Sequence, residues 1–177
     1  MNRFKTKTNL TLLLAVLAVG ASSMVGCSGN PIGEIANEPT VLQRSLPAGG
    51  PQYGPVDTYT EAVISSANGG ELFLVDVNLS IPAGAVPNDT LFSINIPDLN
   101  LFYNEFGTVG LKFDVPVTVT MSYRNADMSG VNESTITLAW LHEKSGRWHQ
   151  MDCTVDFVNK TVTGQLSHFS SYGLISD

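Results

Sequence analysis

From Tyr59 to the end of the chain, apolar residues return at every second position and not at a spacing of 3.6. This alternation restricts the fold more than any other feature. Successive side chains of a strand point to opposite faces, so an alternating run buries one face and leaves the other to water. No window of a dozen residues supports an amphipathic helix, and the region from 58 to 177 reads as all-β. Phe73, Val75, Val77, Leu79 and Ile81, with Asp76, Asn78 and Ser80 between them, read as one half-buried strand. A turn over 82–89 follows. Phe92, Ile94 and Ile96 alternate with Ser93 and Asn95 up to Pro97, and Val109, Leu111 and Phe113 lead through Pro116 into Val117, Val119, Met121 and Tyr123.

Two hairpins can be registered from their apolar pairs. A two-residue turn at Ser145-Gly146 sets Trp140 opposite Met151, Leu138 opposite Cys153 and Ile136 opposite Val155, with Trp140 in the core and Trp148 nearer the turn. A slip of one residue would set Trp140 against Gln150, so the pattern selects the face. A turn at Asn159-Lys160 likewise sets Phe157 opposite Val162 and Cys153 opposite Leu166. Cys153 then points inward as a small core hydrophobe. Short antiparallel strands with turn signals every ten residues or so indicate a β-sandwich.

The first 26 residues read as an export signal: Arg3, Lys5 and Lys7 without an acid, an apolar stretch from about Leu10 to Val19, then Gly20, Ala21, Ser22 and Ser23. The stretch is too short and too interrupted for a spanning helix, which needs about 20 apolar residues. Met24-Val25-Gly26-Cys27 resembles the bacterial lipobox, with Met where Leu is usual. The resemblance implies that Cys27 carries a diacylglycerol and an N-acyl chain and starts the mature protein. Several chains at about 0.8 kcal/mol per buried methylene make such an anchor effectively permanent. Ser28 follows, where an Asp would signal retention at the inner membrane, so an outer membrane is favoured if the host has one.

Removing the signal leaves six Lys and Arg against 16 Asp and Glu, a balance of −10. That excess disfavours nucleic acid and anionic headgroups as partners. With Cys27 acylated, Cys153 has no cysteine to pair with. Residues 27–57 hold Pro31, Pro39, Pro47, Pro51 and Pro55 and little apolar periodicity, and read as a flexible tether. Its thirty residues span about 30 Å as a coil and about 90 Å as extended polyproline.

Gly69-Gly70-Glu71, Leu79-Ser80-Ile81-Pro82-Ala83-Gly84-Ala85-Val86-Pro87, Phe113-Asp114-Val115-Pro116-Val117, Gly146-Arg147-Trp148 and His168-Phe169-Ser170-Ser171-Tyr172-Gly173-Leu174 follow one another in an order that resembles the ZU-five domain of zonula occludens proteins, netrin receptors and ankyrins. The resemblance covers about residues 60 to 175. It implies a β-sandwich used for protein contacts and not a metabolic enzyme. It also draws attention to His168-Phe169-Ser170, because in self-cleaving relatives this tripeptide is the scissile site. There the Ser hydroxyl attacks the preceding carbonyl with the His as base, which requires a strained peptide bond.

Two other candidate sites come from the residues themselves. The hairpin register places His142 opposite His149, close enough to share a soft divalent ion, but two ligands do not make a site and the pair reads first as two neighbours capping the sheet beside Trp148. The segment 98–107 carries Phe102, Tyr103 and Phe106, which are either an exposed contact anchor or a lid folded over the end of the sandwich. No hydrolase elbow, zinc motif, phosphate-binding loop or paired-carboxylate signature occurs, and no cofactor is expected. Three functions stay open: a lipid-anchored envelope module contacting a protein or other ligand, a structural spacer, and a self-processing domain cut between Phe169 and Ser170. The first is the expectation, with Phe102, Tyr103 and Phe106 as its contact residues.

Overall fold

A computed structural model describes residues 39–45 and 56–177. The export signal (1–26), Cys27 and the tether outside 39–45, 56 and 57 lie outside the described residues. In chain order the strands are β1 (Thr40–Val41), β2 (Tyr59–Ile64), β3 (Gly70–Leu74), β4 (Val77–Ile81), β5 (Thr90–Asn95), β6 (Tyr103–Gly107), β7 (Lys112–Ser122), β8 (Thr137–His142), β9 (Arg147–Gln150), β10 (Cys153–Asp156), β11 (Thr161–His168) and β12 (Ser171–Ser176). The only helical element among them is a single 3-10 turn, Glu133–Thr135.

The strands form two antiparallel sheets packed as a sandwich. The first has the order β2-β5-β6-β12-β8-β9, and the second β10-β11-β7-β4-β3. β12 pairs with β6 over Ser171–Gly173 and, beyond that, with β1 over Ile175 and Ser176. Between the sheets lie Phe92, Ile94, Phe102, Phe106, Leu138, Tyr172 and Leu174 from the first, and Leu72, Leu79, Val117, Val119, Met121, Val162 and Leu166 from the second, all buried. An aromatic cluster fills one end. Phe169 stands edge-on to Phe92 at 5.1 Å and to Phe113 at 4.8 Å, and Phe106 stacks on Tyr172 at 5.5 Å. Pairs of this kind contribute about 0.5–1.5 kcal/mol each beyond the area they bury.

The alternation places almost every face correctly, and the departures have identifiable causes. The run from Phe73 to Ile81 is not one strand. It folds at Val75-Asp76 into the β3–β4 hairpin, which turns Phe73 to solvent and Asp76 inward. Val75 adopts φ 56°, a region that a β-branched residue rarely enters. Pro116 lies inside β7, at a register shift where Leu166 pairs with Val117 but His168 with Lys112, and such a bulge is where a sheet accepts a proline.

Both registered hairpins are displaced by two residues from the expected pairing. Trp140 faces His149, and Cys153 faces Gly164. The turns have four residues, 143–146 and 157–160, and each ends on a left-handed residue, Gly146 at φ 65° and Lys160 at φ 56°. A shift of two keeps the paired side chains on their faces, but Phe157, expected opposite Val162, falls in the second turn and is exposed, and Val155 pairs with Val162 instead. The long expected strand also breaks at Met151-Asp152, so that β9 belongs to the first sheet and β10 to the second. Trp140 is therefore half-buried at the margin of the core and not within it. Cys153 packs against the core as expected, with its Sγ near Thr137 Oγ1 and the Leu138 amide.

Residues 39–45, assigned above to the tether, are part of the sandwich. The Leu42 amide donates to Leu174 O at 2.9 Å, the Phe102 amide donates to Leu42 O at 2.9 Å, and the Arg44 amide donates to Asn100 O at 2.7 Å. Leu42 and Arg44 are 2% and 5% exposed. The Arg44 guanidinium donates to both oxygens of Asp76 at 2.8 and 3.1 Å and to Leu101 O at 2.6 Å, and it lies 4.6 Å from the Phe102 ring centre. Burial pushes the Asp76 carboxyl up from its ordinary value, and Arg44 offsets part of that rise. The unusual turn at Val75 thus delivers a carboxylate to a buried arginine 32 residues earlier.

Candidate functional site

The solvent side of the first sheet follows from its pairing. Tyr59 pairs with Asn95, Asn95 with Glu105, and Glu105 with Ser171. Continuing the β12–β8 register brings Leu141 beside Ser171, and Leu141 pairs with Trp148. These six residues form one ladder across all six strands, about 24 Å long at the usual 4.8 Å strand spacing. A second ladder beside it runs Tyr103, Gly173, Ala139, Gln150. Both belong to the polar half of the alternation, so nothing in the core requires tyrosine, tryptophan or glutamate here.

The side chains of this face hold one another in place. Tyr103 Oη donates to Glu105 Oε1 at 3.1 Å and lies 3.2 Å from Ser171 Oγ, and Asn95 Nδ2 donates to Glu105 Oε2 at 2.9 Å. Tyr59 Oη donates to Glu61 at the outer strand. Burial and the charge of Glu105 hold the Tyr103 phenol above its ordinary pKa, although Ser171 opposes this. The Trp148 indole stands edge-on to Tyr103, with ring centres 6.0 Å apart, and lies over Gly173. A Cβ at residue 173 would come within 3.0 Å of the indole and 2.8 Å of Phe102 O, so glycine is what lets the tryptophan lie flat. The formal charges among the strand residues of this face are the carboxylates of Glu61 and Glu105. The solvent side of the second sheet is different: Asn78, Thr120, Thr163 and Thr154 pair across it, and its large exposed strand aromatic is Phe73.

Of the three aromatics expected to anchor a contact, Phe102 and Phe106 are fully buried and form part of the core. They cannot meet a partner. Only Tyr103, between them on β6, faces outward. His142 and His149 are not directly opposite, because of the two-residue shift, but their ring centres are 5.8 Å apart. With His168 they surround Trp140, whose ring centre lies 4.9 Å from His149 and 5.7 Å from each of the other two. Among the described residues no three His, Cys, Asp or Glu side chains are arranged to hold a metal ion.

His168-Phe169-Ser170 is the crossing from the second sheet to the first. Phe169 fills the core, and its amide and carbonyl engage Leu111 O at 2.9 Å and the Gly110 amide at 3.2 Å. Ser170 Oγ donates to Leu141 O at 3.5 Å, while His168 Nδ1 lies 3.3 Å from Ser167 Oγ and its ring packs against Trp140. The His168 carbonyl accepts from Tyr172 Oη at 2.7 Å. The imidazole and the Ser170 hydroxyl thus have different partners, and none of the three residues has positive φ.

No family model matches this chain, and no curated protein is similar to it. Sequence reasoning missed Asn95, Glu105 and Trp148. Each is legible as an outward residue, but their convergence depends on strand order.

Proposed function

We propose that this protein is a lipid-anchored module of the bacterial cell envelope that binds a ligand through the solvent side of its first sheet and is not an enzyme. The observation that carries the reading is the Tyr103–Glu105–Asn95–Ser171 network with Trp148 beside it. Aromatic and interlocked polar side chains held in place on the solvent side of a sheet are of the kinds that suit recognition, because little freedom is lost when a ligand meets them. The basic, apolar and small-residue segment ending at Cys27 supports the anchor. The described residues contain no helix long and apolar enough to cross a membrane. The resemblance to ZU-five domains, with their contact role, points the same way.

Two measurements test the reading. Cys27→Ser should move the protein to the soluble fraction or block its processing, and a processed, membrane-bound Cys27→Ser protein would refute the anchor. A photoreactive residue in place of Gln150 should form an adduct in intact cells that one in place of Thr163, on the other sheet, does not. Equal labelling at both positions would refute the choice of face.

A further inference from the structure

We infer that the ligand of this face is an uncharged polysaccharide chain, lying along the ladder from Tyr59 to Trp148. The inference rests on the binding reading above and gives it a chemical class. The shape argues first. The ladder is about 24 Å long, and in the ladder beside it the small residues Gly173 and Ala139 are buried, with the Trp148 indole lying over Gly173 and not standing off the sheet. An extended ligand matches such a surface better than a compact one.

The polar groups argue next. A carboxylate has about four acceptor positions, and Glu105 uses two of them on Tyr103 and Asn95. The remaining positions, with the lone pairs of Ser171 and Tyr103, accept from a ligand that brings many hydroxyl donors. A polyol also accepts, and among the described residues the indole N–H of Trp148 has no hydrogen-bond partner. The polarised C–H faces of a sugar ring pack on the electron-rich faces of Tyr103 and Trp148.

The alternatives fit less well. An anionic chain meets Glu61, Glu105 and an acidic domain. A protein partner of standard size would bury Glu105 at the centre of its interface, where an unpaired charge is costly, and would find no deep apolar anchor. A hydrated, hydroxyl-rich ligand leaves the carboxylate solvated by hydroxyls.

The test is affinity gel electrophoresis of the full-length lipidated protein in a polyoxyethylene detergent, which has no sugar headgroup to compete. Gels contain hydroxyethylcellulose, mannan or dextran, with alginate as the acidic control. At least one neutral polymer should retard the protein, equally in low salt and in about 0.5 M salt, which screens ionic attraction. Trp148→Ala and the isosteric Glu105→Gln should each weaken the retardation about tenfold or more while both variants still unfold cooperatively well above the gel temperature, and Thr163→Ala should have no effect. Failure of all three neutral polymers, retardation by alginate alone, or loss of retardation in salt overturns the inference. If the photoreactive residue at Gln150 still labels an envelope protein, the binding face stands and only the ligand class falls. If it labels nothing, both fall.

Discussion

Arg44 is the most severe point at which the fold can be tested. Its side chain is 0% exposed, that of Asp76 is 5% exposed, and the two meet through a two-pronged ion pair. Arg44→Met keeps most of the stem and removes the charge. It leaves a buried carboxylate without its cation and the Leu101 carbonyl without a donor. Breaking a buried pair from one side costs about 3–5 kcal/mol, whereas replacing both partners by apolar groups is often close to neutral. The single variant should therefore lose that amount, a large share of a typical 5–15 kcal/mol, and melt about 10–20 °C lower. Arg44→Met with Asp76→Leu should recover most of the loss. The penalty in the single variant should also shrink as pH falls, because Asp76, already pushed up by burial, can then take a proton. Urea unfolding followed by tryptophan fluorescence on both singles and the double gives the coupling directly. A loss below about 1 kcal/mol for Arg44→Met, or strictly additive effects, would show that the pair does not hold 39–45 in the sandwich.

Three further outcomes follow from the same contacts. A domain beginning at Ala48 lacks Leu42 and Arg44 and should lose cooperative unfolding or fall well below one beginning at Glu38, and equal midpoints in urea would refute the role of β1. Burial, then the hydrogen bond to Glu133, pushes the Tyr123 phenol up to about 12, and burial pushes Tyr172 up as well. Raised phenols stabilise the fold fully below about pH 10, and that contribution is lost as pH rises through 10 to about 12, so a urea midpoint that does not fall across this window would contradict their burial. Intact mass should show no species shortened by 170–177, and such a species, absent in Ser170→Ala, would make His168 and Ser170 catalytic.

The period-two alternation was a reliable guide to which way a side chain points, since parity survives any register shift of two. It supplied the two-sheet class and most of the core, from Phe92 and Ile94 to Leu174. Register was less legible because it depends on turn length. Ser145-Gly146 looks like a complete two-residue turn, yet Gly146 is the last of four, its amide bonded to His142 O at 2.9 Å. At the second turn the cue was Asp156, whose carboxylate accepts from the Val158 and Asn159 amides at 2.9 Å and starts a longer turn. Residues 39–45 were illegible for another reason. Seven residues among prolines show no usable period, and what holds Arg44 is a carboxylate 32 residues away at a turn. Phe102 and Phe106 misled because they lie just before and within a short strand that follows an irregular loop, where aromatics read as exposed. The candidate site was visible only as scattered outward residues, since strand order, a non-local property, brings Tyr103 and Trp148 together.

The claim that the first sheet carries the binding face is tested most directly by hydroxyl-radical footprinting on intact cells against the purified protein in detergent. Trp148 and Tyr103 should oxidise several-fold more slowly in cells, while Phe73 and Phe157, exposed on the rest of the domain, should oxidise equally in both. Equal oxidation of Trp148 and Tyr103 in cells and in detergent, with Phe73 or Phe157 protected instead, would place the contact surface elsewhere and contradict the account.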